Sequence, residues 1–178
     1  MSTETLRFQV IKSQGLSEQK YLEILELCSQ AYQRDFKPLL ETFCNATHIL
    51  GRINSMLVVH ALWVTRWLQS ATIPPLRTAY VEAVATEESY RGRGFATAIM
   101  RRIAKEIKHF DLGALSPGVP DLYARLGWQL WRGPLFIRTN EGLVPTPNEQ
   151  VMVLLLPNTP VLDLTSALSA EWREGELW

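Results

Sequence analysis

Long uncharged apolar stretches are absent from this sequence, and so are tracts of a single charge. No apolar run approaches the roughly 20 residues that a membrane-spanning helix needs, so we expect a cytoplasmic protein. The 18 basic residues balance the 18 acidic ones and form no cluster, which argues against a nucleic-acid groove. Any recognition through charge must therefore be local.

Cysteine and histidine are scarce as well. The two cysteines, Cys28 and Cys44, lack the Cys-x-x-Cys spacing and fit a reducing compartment better than a disulfide framework. The three histidines, His48, His60 and His109, are not spaced as metal ligands. We interpret them as structural or surface residues, and the sequence predicts no metal site.

A single domain of mixed α+β class is predicted for residues 1–178. A chain of 178 residues that is 47% hydrophobic is long enough for one core and short for two. Apolar periodicity and turn residues predict strands at 6–11, 47–53, 56–67, 78–86, 111–115, 128–131, 135–138 and 151–156, and helices at 18–32, 95–107 and 119–126. Residues 139–150 are predicted to be a loop. Ser17 is predicted to cap the first helix, and an Asn54-Ser55 turn is predicted to join strands 47–53 and 56–67 into a hairpin. Strands that precede and follow the helices indicate a mixed sheet.

The central feature is the glycine-rich segment 90–96, which leads from a strand pattern directly into a helical one. Phe95, Ile99 and Ile103 recur every four residues and form one apolar helix face. Such a junction suits an anion because the first helical N–H groups lack partners and the helix dipole is positive there. From the glycines and arginines alone, an ordinary turn with solvated arginines is an equally good interpretation.

The spacing Arg91-x-x-Gly94-x-Ala96 narrows the classes of protein to which this glycine-rich segment could belong. It fits neither Gly-x-x-x-x-Gly-Lys-Ser/Thr nor Gly-x-Gly-x-x-Gly, which argues against a nucleoside triphosphatase and a Rossmann dehydrogenase. It resembles the Arg/Gln-x-x-Gly-x-Gly/Ala motif of the GCN5-related N-acetyltransferases (GNAT), whose loop holds the pyrophosphate of acetyl-CoA. Residues 123–128, Tyr-Ala-Arg-Leu-Gly-Trp, resemble the Tyr-x-x-x-Gly-Phe/Trp element of the same superfamily.

This resemblance implies a fold, a co-substrate and a set of contacts. The fold would be a twisted, mostly antiparallel sheet, flanked by helices and splayed between the strand of Glu82 and that of Asp111, where acetyl-CoA would bind. Backbone groups near Val84 and Ala85 would bind the pantetheine arm. The pyrophosphate would be held by Arg91, Gly92, Arg93, Gly94, Phe95 and Ala96.

Four segments extend the resemblance to the aminoglycoside 2'-N-acetyltransferases: residues 80–84, 112–116, 122–128 and 172–178. The last, of the type Trp-Arg-x-Gly-acid-x-Trp, is the most specific because it is not general in the superfamily. It implies direct acetyl transfer to the 2'-amino group of an aminoglycoside, antibiotic resistance and a homodimer. The substrate-binding residues implied are Asp35, Glu82, Ser116, Glu149, Glu176 and the carboxylate of Trp178.

Acetyl transfer from a thioester to an amine needs a neutral amine, a stabilised oxyanion and a proton for the thiolate. Glu82 is the candidate base and would act through a water, because a carboxylate with a pKa of about 4 is a weak base for an ammonium. The N–H of Val84 would face the oxyanion. Tyr123, with an ordinary phenol pKa of about 10, would protonate the sulfur.

Two other interpretations stay open at this point. The chain could acetylate a different amine, such as a cell-wall aminosugar, a polyamine or another metabolite. It could also be a non-catalytic protein that binds acyl-CoA or an aminoglycoside. In a purely structural interpretation Tyr123 is a packing residue and the acids are ordinary surface residues, whereas a carboxylate inside the apolar strand of Glu82 is hard to explain by packing.

Overall fold

The computed structural model describes residues 5–71 and 73–178. The chain forms two compact units, one made of Met1–Val64 and Glu82–Ile103, the other of Thr65–Val81 and Ala104–Trp178. The predicted single domain over residues 1–178 includes residues 1–4 and 72, which lie outside the described part, and it stays a prediction.

The first unit contains an antiparallel arrangement of β1 (Leu6–Lys12), β2 (Thr47–Ile53) and the first part of β3 (Met56–Ser70). β1 pairs with β2 in register Leu6 to Ile53, and β2 pairs with β3 in register Thr47 to Trp63. Asn54 takes the left-handed conformation, with φ of 55°, in the turn between β2 and β3. The predicted hairpin is therefore confirmed, with β3 three residues longer than expected.

Two helices of the first unit follow β1. The Ser17 hydroxyl accepts a hydrogen bond from the Lys20 N–H at 3.3 Å and caps α1 (Glu18–Tyr32), as its sequence position predicts. The buried face of α1 carries Ile24, Leu27 and Cys28. The short α2 (Lys37–Thr42) begins with a proline in its first turn.

The second unit is built on a mixed sheet. The strand order of this sheet is β6-β9-β5-β4-β3-β10-β7-β8, and the second unit includes β3 only from Thr65 and β4 only as far as Val81. The pairs β4–β5 and β7–β10 are parallel, and the pairs β5–β9, β6–β9, β7–β8 and β3–β10 are antiparallel. The strand bounds are β4 (Leu76–Thr86), β5 (Leu112–Leu115), β6 (Gln129–Leu130), β7 (Leu135–Thr139), β8 (Gly142–Pro145), β9 (Met152–Leu155) and β10 (Leu168–Glu171).

The remaining helices are α3 (Phe95–Glu106) and α4 (Pro120–Ala124). With ten strands and four α-helices in the described residues, the predicted α+β class is confirmed. The loop predicted at 139–150 is wrong in part because β8 lies within it, and β10 was not predicted. None of the helices in residues 5–71 and 73–178 is long and apolar enough to cross a membrane.

Candidate functional site

The glycine-rich turn joins β4 to α3 in the first unit. Gly92 and Gly94 have φ of 75° and 82°, a region that residues with a Cβ rarely adopt. A Cβ added at either position would meet no atom within 4 Å, so the space beside both glycines is open. The turn thus needs glycine for its backbone conformation and leaves its surface accessible to a ligand.

The start of α3 has the features of an anion site. The Gly94 carbonyl accepts the first helical hydrogen bond, from the Ala98 N–H at 2.9 Å, so the N–H groups of Phe95 and Ala96 have no partner inside the helix. The first turn carries no acidic side chain, and Arg91 and Arg93 beside it are exposed. The helix dipole and the two guanidinium groups therefore add positive potential at one place.

Contacts within the turn hold its shape. The rings of Tyr90 and Phe95 stack with centroids 5.9 Å apart, and the guanidinium of Arg93 lies 4.7 Å from the Tyr90 ring. The Nε of Arg91 donates to the Thr86 carbonyl at 3.4 Å. The turn is consequently preorganised by its own side chains.

The end of β4 departs from a regular strand. Glu82 and Val84 are half-buried, whereas Ala83 and Ala85 are buried, as alternation along a strand requires. Ala83, however, has φ of 52°, which is rare for a residue other than glycine, asparagine or aspartate. This local distortion lies between the two residues to which the sequence assigned the base and the oxyanion donor.

Two side chains hold the carbonyl groups at this distortion. The ring of His60 bonds the Ala83 carbonyl through Nδ1 at 3.0 Å, and the hydroxyl of Tyr32 donates to the Val84 carbonyl at 3.1 Å. A carbonyl oxygen has two lone pairs, so the Tyr32 bond leaves Val84 a second acceptor position. Neither side chain was predicted to have a role here.

Asp35 lies in the turn between α1 and α2 and is exposed. Its Oδ1 accepts a hydrogen bond from the Lys37 N–H at 3.0 Å, which fixes the start of α2. Together with Glu41, Asp35 also adds to the increase that burial produces in the pKa of Tyr21. Its carboxylate therefore already has a structural role, in addition to the substrate contact that the resemblance implies.

In the second unit, Tyr123 lies on α4 and is only 7% exposed. Its carbonyl accepts hydrogen bonds from the N–H groups of Leu126 and Trp128, and its ring meets the Trp128 ring edge-on at 6.3 Å. Gly127, with φ of 89°, makes the turn between them possible. Burial raises the pKa of the Tyr123 phenol above its usual value, so it is protonated at neutral pH.

Residues 172–178, the C-terminal tail, are held by Arg66, which is 1% exposed. Its guanidinium donates to the carbonyls of Leu177 and Glu171, each at 2.7 Å. It also lies 4.9 Å from the Tyr80 ring and 6.0 Å from the Trp178 ring. A planar guanidinium is suited to such combined stacking and hydrogen bonding. Arg66 is thus one anchor of the tail.

The tail and the 146–149 turn meet at Thr146. The indole Nε1 of Trp178 donates to the Thr146 hydroxyl at 2.8 Å, and the Glu149 N–H donates to the Thr146 carbonyl at 3.2 Å. Trp178 is buried, and the side chains of Glu149 and Glu176 are exposed. The structure therefore brings the predicted substrate residues Glu149 and Trp178 to one common residue.

Ser116 is exposed and directly follows β5. Two residues before it, Ala114 is in register with Tyr80 of β4, and Tyr80 is the ring on which Arg66 and Arg173 lie, at 4.9 and 5.3 Å. At about 3.3 Å per extended residue, Ser116 lies about 7 Å beyond Ala114 in the direction of the chain. No contact of its hydroxyl with the tail is found in the described part of the chain.

Sequence reasoning overlooked Arg66, Tyr32 and His60. The sequence does give an indication for Arg66, which lies between Val64 and Leu68 in an apolar strand. A charged side chain there is as hard to explain by packing as Glu82 is in its own strand. For Tyr32 and His60 no local signal exists, since both act on the backbone of a distant strand.

A strand distorted at Ala83 is followed by an open glycine turn at a helix N-terminus within an α+β protein, an arrangement whose features suit an anion. A family model described as an acetyltransferase (GNAT) domain matches residues 14–131. The aminoglycoside 2'-N-acetyltransferase of Mycolicibacterium fortuitum is 32% identical over 162 residues, which cover 84% of this chain and 80% of that protein. The chain belongs to the GNAT acetyltransferase family.

Solved structures agree on the fold. The GNAT N-acetyltransferase YhbS of Escherichia coli, solved in complex with CoA, matches with a TM-score of 0.65 at 15% identity, over 93% of this chain and 90% of that one. A probable N-acyltransferase of Enterococcus faecalis matches with a TM-score of 0.57 at 18% identity over 73% of this chain. This chain spans only 33% of the length of the Enterococcus protein.

Proposed function

We propose that the protein transfers the acetyl group of acetyl-CoA to the 2'-amino group of an aminoglycoside. The observation that carries this proposal is the 32% identity to an aminoglycoside 2'-N-acetyltransferase over most of both chains. The exposed acids of the second unit support a polycationic acceptor, because the net charge of the whole chain is zero and attraction must come from local carboxylates.

Acetyl-CoA is the co-substrate in this proposal. Its pyrophosphate binds at the 91–96 turn, where open space beside Gly92 and Gly94 allows close approach to backbone N–H groups. Arg91 and Arg93 supply charge, and the backbone at Val84 and Ala85 bonds the pantetheine arm. The preorganised turn supports this assignment because little conformational freedom is lost on binding.

The chemistry follows from three residues. Glu82 accepts a proton from the substrate ammonium through a water, and the resulting amine attacks the thioester carbonyl. The N–H of Val84 stabilises the oxyanion as the C–N bond forms. The C–S bond then breaks, and the thiolate takes the proton of the Tyr123 phenol, which its raised pKa keeps in place at neutral pH. The second proton of the attacking nitrogen passes to the phenolate, which leaves a neutral amide and restores Tyr123.

The acceptor side of the proposal comprises Asp35, Ser116, Glu149, Glu176 and Trp178, together with Glu82. The anchoring of residues 172–178 by Arg66 supports a binding role for the tail, because a bound ligand then meets a preformed surface. Following the same resemblance, we expect a cytoplasmic homodimer that protects a cell against aminoglycosides.

The test is thiol release from acetyl-CoA in the presence of aminoglycosides that carry a 2'-amine. Close analogues with a 2'-hydroxyl are the control, because they keep the other amines. We expect turnover only with the 2'-amine compounds. Equal turnover with both sets would move the acetylated position elsewhere, and turnover only with polyamines or cell-wall aminosugars would favour the alternative substrates. Measurable acetyl-CoA binding without any turnover would favour a non-catalytic binder.

The role of the tail has its own test. Arg66→Met removes the hydrogen bonds to the carbonyls of Leu177 in the tail and of Glu171 just before it, while keeping a side chain of similar length. We expect a rise in the KM for the aminoglycoside of about tenfold or more, since two charge-assisted bonds contribute about 1.5–3 kcal/mol each, and an unchanged Kd for acetyl-CoA. Arg138→Met is the control, because Arg138 bonds the Ser169 carbonyl and does not touch the carbonyls that Arg66 holds. An unchanged KM in Arg66→Met would contradict the tail's role in substrate binding.

A further inference from the structure

A continuous chain of hydrogen bonds runs through the interior of the first unit and ends at β4. The Ser13 hydroxyl lies 3.1 Å from Nε2 of His48, Nδ1 of His48 lies 3.0 Å from Nε2 of His60, and Nδ1 of His60 lies 3.0 Å from the Ala83 carbonyl oxygen. His48 is 3% exposed and His60 is not exposed at all. The chain thus links a buried histidine pair to the distorted end of β4.

The Ala83 carbonyl at the end of this chain determines which nitrogen of each histidine carries the proton. Because the Ala83 carbonyl can only accept, Nδ1 of His60 must carry a proton, and its Nε2 accepts from Nδ1–H of His48. Nε2 of His48 is then left as an acceptor, and it shares the single proton of the Ser13 hydroxyl with the Ala46 carbonyl, each acceptor lying 3.1 Å away. This assignment requires both rings to be neutral, and burial lowers the pKa of His48 to about 4 and that of His60 to about 3.

The other neighbours of His60 leave this arrangement intact. The sulfur of Cys28 lies 3.7 Å from Nδ1 of His60, and burial raises the thiol pKa to about 12, so Cys28 brings no charge. On the next residue of β4, the Tyr32 hydroxyl holds the Val84 carbonyl. Two consecutive carbonyls of β4 are therefore fixed by side chains of other elements.

Ala83 needs such support. A left-handed alanine is disfavoured relative to an extended one by a factor of about five to thirty, and a strand interior favours the extended form. The hydrogen bond from His60 to the Ala83 carbonyl stabilises the orientation of the peptide between Ala83 and Val84, and its loss would favour the extended form. The direction of the Val84 N–H belongs to the same peptide, and Glu82 immediately precedes Ala83.

We propose that His60, oriented by His48, is a positioning residue that holds Ala83 in its left-handed conformation and thereby directs the Val84 N–H and the Glu82 carboxylate. The inference rests on the proposed function, in which these two groups stabilise the oxyanion and remove the amine proton. His60 itself touches no substrate. Its effect passes through the backbone of Ala83.

A double-mutant cycle tests this role. His60→Leu removes the donor, His60→Asn keeps an N–H near the position of Nδ1, and Ala83→Gly removes the steric disadvantage of the left-handed conformation. We expect His60→Leu to lower kcat by about five- to thirtyfold, and His60→Asn to restore most of it. In the Ala83→Gly background the same His60→Leu change should cost about fivefold less. An equal loss in both backgrounds would overturn the proposal, because a mere packing role is independent of residue 83.

Backbone amide hydrogen exchange of residues 80–86 in the substrate-free protein gives a readout that does not depend on activity. His60→Leu should accelerate exchange in this segment by about fivefold or more in the native protein, and less so with Ala83→Gly. Exchange that stays unchanged would overturn the positioning role even for an inactive protein. Thiol release that fails with every amine, together with accelerated exchange, would instead refute the proposed function and leave the positioning role supported.

Discussion

The buried pair His48 and His60 predicts an acid sensitivity of folding that can be measured without any ligand. Both rings are neutral in the folded protein because burial lowers their pKa values to about 4 and about 3, from an ordinary value of 6.5. In the unfolded chain each ring takes up a proton below pH 6.5. The unfolded state therefore binds more protons, and the free energy of unfolding falls as the pH is lowered from 7.

The loss in the free energy of unfolding at pH 5 depends mainly on the pKa of each histidine in the unfolded chain. For each ring the loss is RT ln(1 + 10^1.5), or about 2 kcal/mol, as long as the folded pKa stays below 5. The pair thus accounts for about 4 kcal/mol between pH 7 and pH 5, a large part of the 5–15 kcal/mol typical of a folded domain. The other titratable groups nearby are Cys28 and, lining the cavity beside His48, Glu18, Tyr21 and Glu41.

The assay is urea unfolding of the wild type and of the double variant His48→Asn/His60→Asn at pH 7, 6 and 5. The two amides can each supply an N–H near the former Nδ1 and do not titrate in this range. We expect the loss between pH 7 and pH 5 to be about 4 kcal/mol smaller in the double variant and about 2 kcal/mol smaller in each single variant. His109→Asn changes an exposed histidine and serves as the control for loss of a histidine outside the buried pair. A double variant that loses as much stability as the wild type would refute the reasoning, because some other group would then be responsible.

Three further predictions concern single residues. Gly94→Trp should abolish acetyl-CoA binding measured by calorimetry, whereas Gly142→Trp should not, although Gly142 also has a positive φ and open space beside it. Normal affinity in Gly94→Trp would mean that the phosphate site lies elsewhere. Tyr123→Phe should lower kcat by about a hundredfold with the Kd of acetyl-CoA unchanged, and undiminished turnover would remove its role as the acid. A thiol reagent at pH 8 should label the exposed Cys44 quickly and Cys28 only after unfolding, because a pKa of about 12 leaves about one thiolate in ten thousand; rapid labelling of both would contradict the burial.

Local signals explain what the sequence could predict. The start of α3 could be placed because glycines at 92 and 94 precede a run with helical spacing, and Ser17 could be recognised because capping depends on the next three residues. The β2–β3 hairpin followed from the Asn54-Ser55 turn. All of these features involve residues within a few positions of one another, so they can be recognised from a short stretch of sequence.

Features that depend on distant partners could not be predicted in this way. β8 consists of four exposed residues bounded by Gly142 and Pro145, and only its pairing with β7 makes it a strand. β10 pairs in parallel with β7, more than 30 residues away, and its Leu-Ser-Ala-Glu sequence has weak strand character. Nothing in the sequence indicates the left-handed conformation of Ala83, because alanine normally avoids it.

The anchoring of the tail by Arg66 also bears on how the protein folds during synthesis. The Leu177 carbonyl that Arg66 holds lies 111 residues further along the chain, which corresponds to about 6 to 22 s of translation at 5–20 residues per second. Until then, burying the guanidinium would leave a charge without its acceptors, at a cost of several kcal/mol. The second unit should therefore reach its native packing only as a late event, whereas the residues of the first unit are all available once Ile103 has been made. A nascent chain that stalls between these two points would expose the apolar surroundings of Arg66, which is where we expect chaperones to bind.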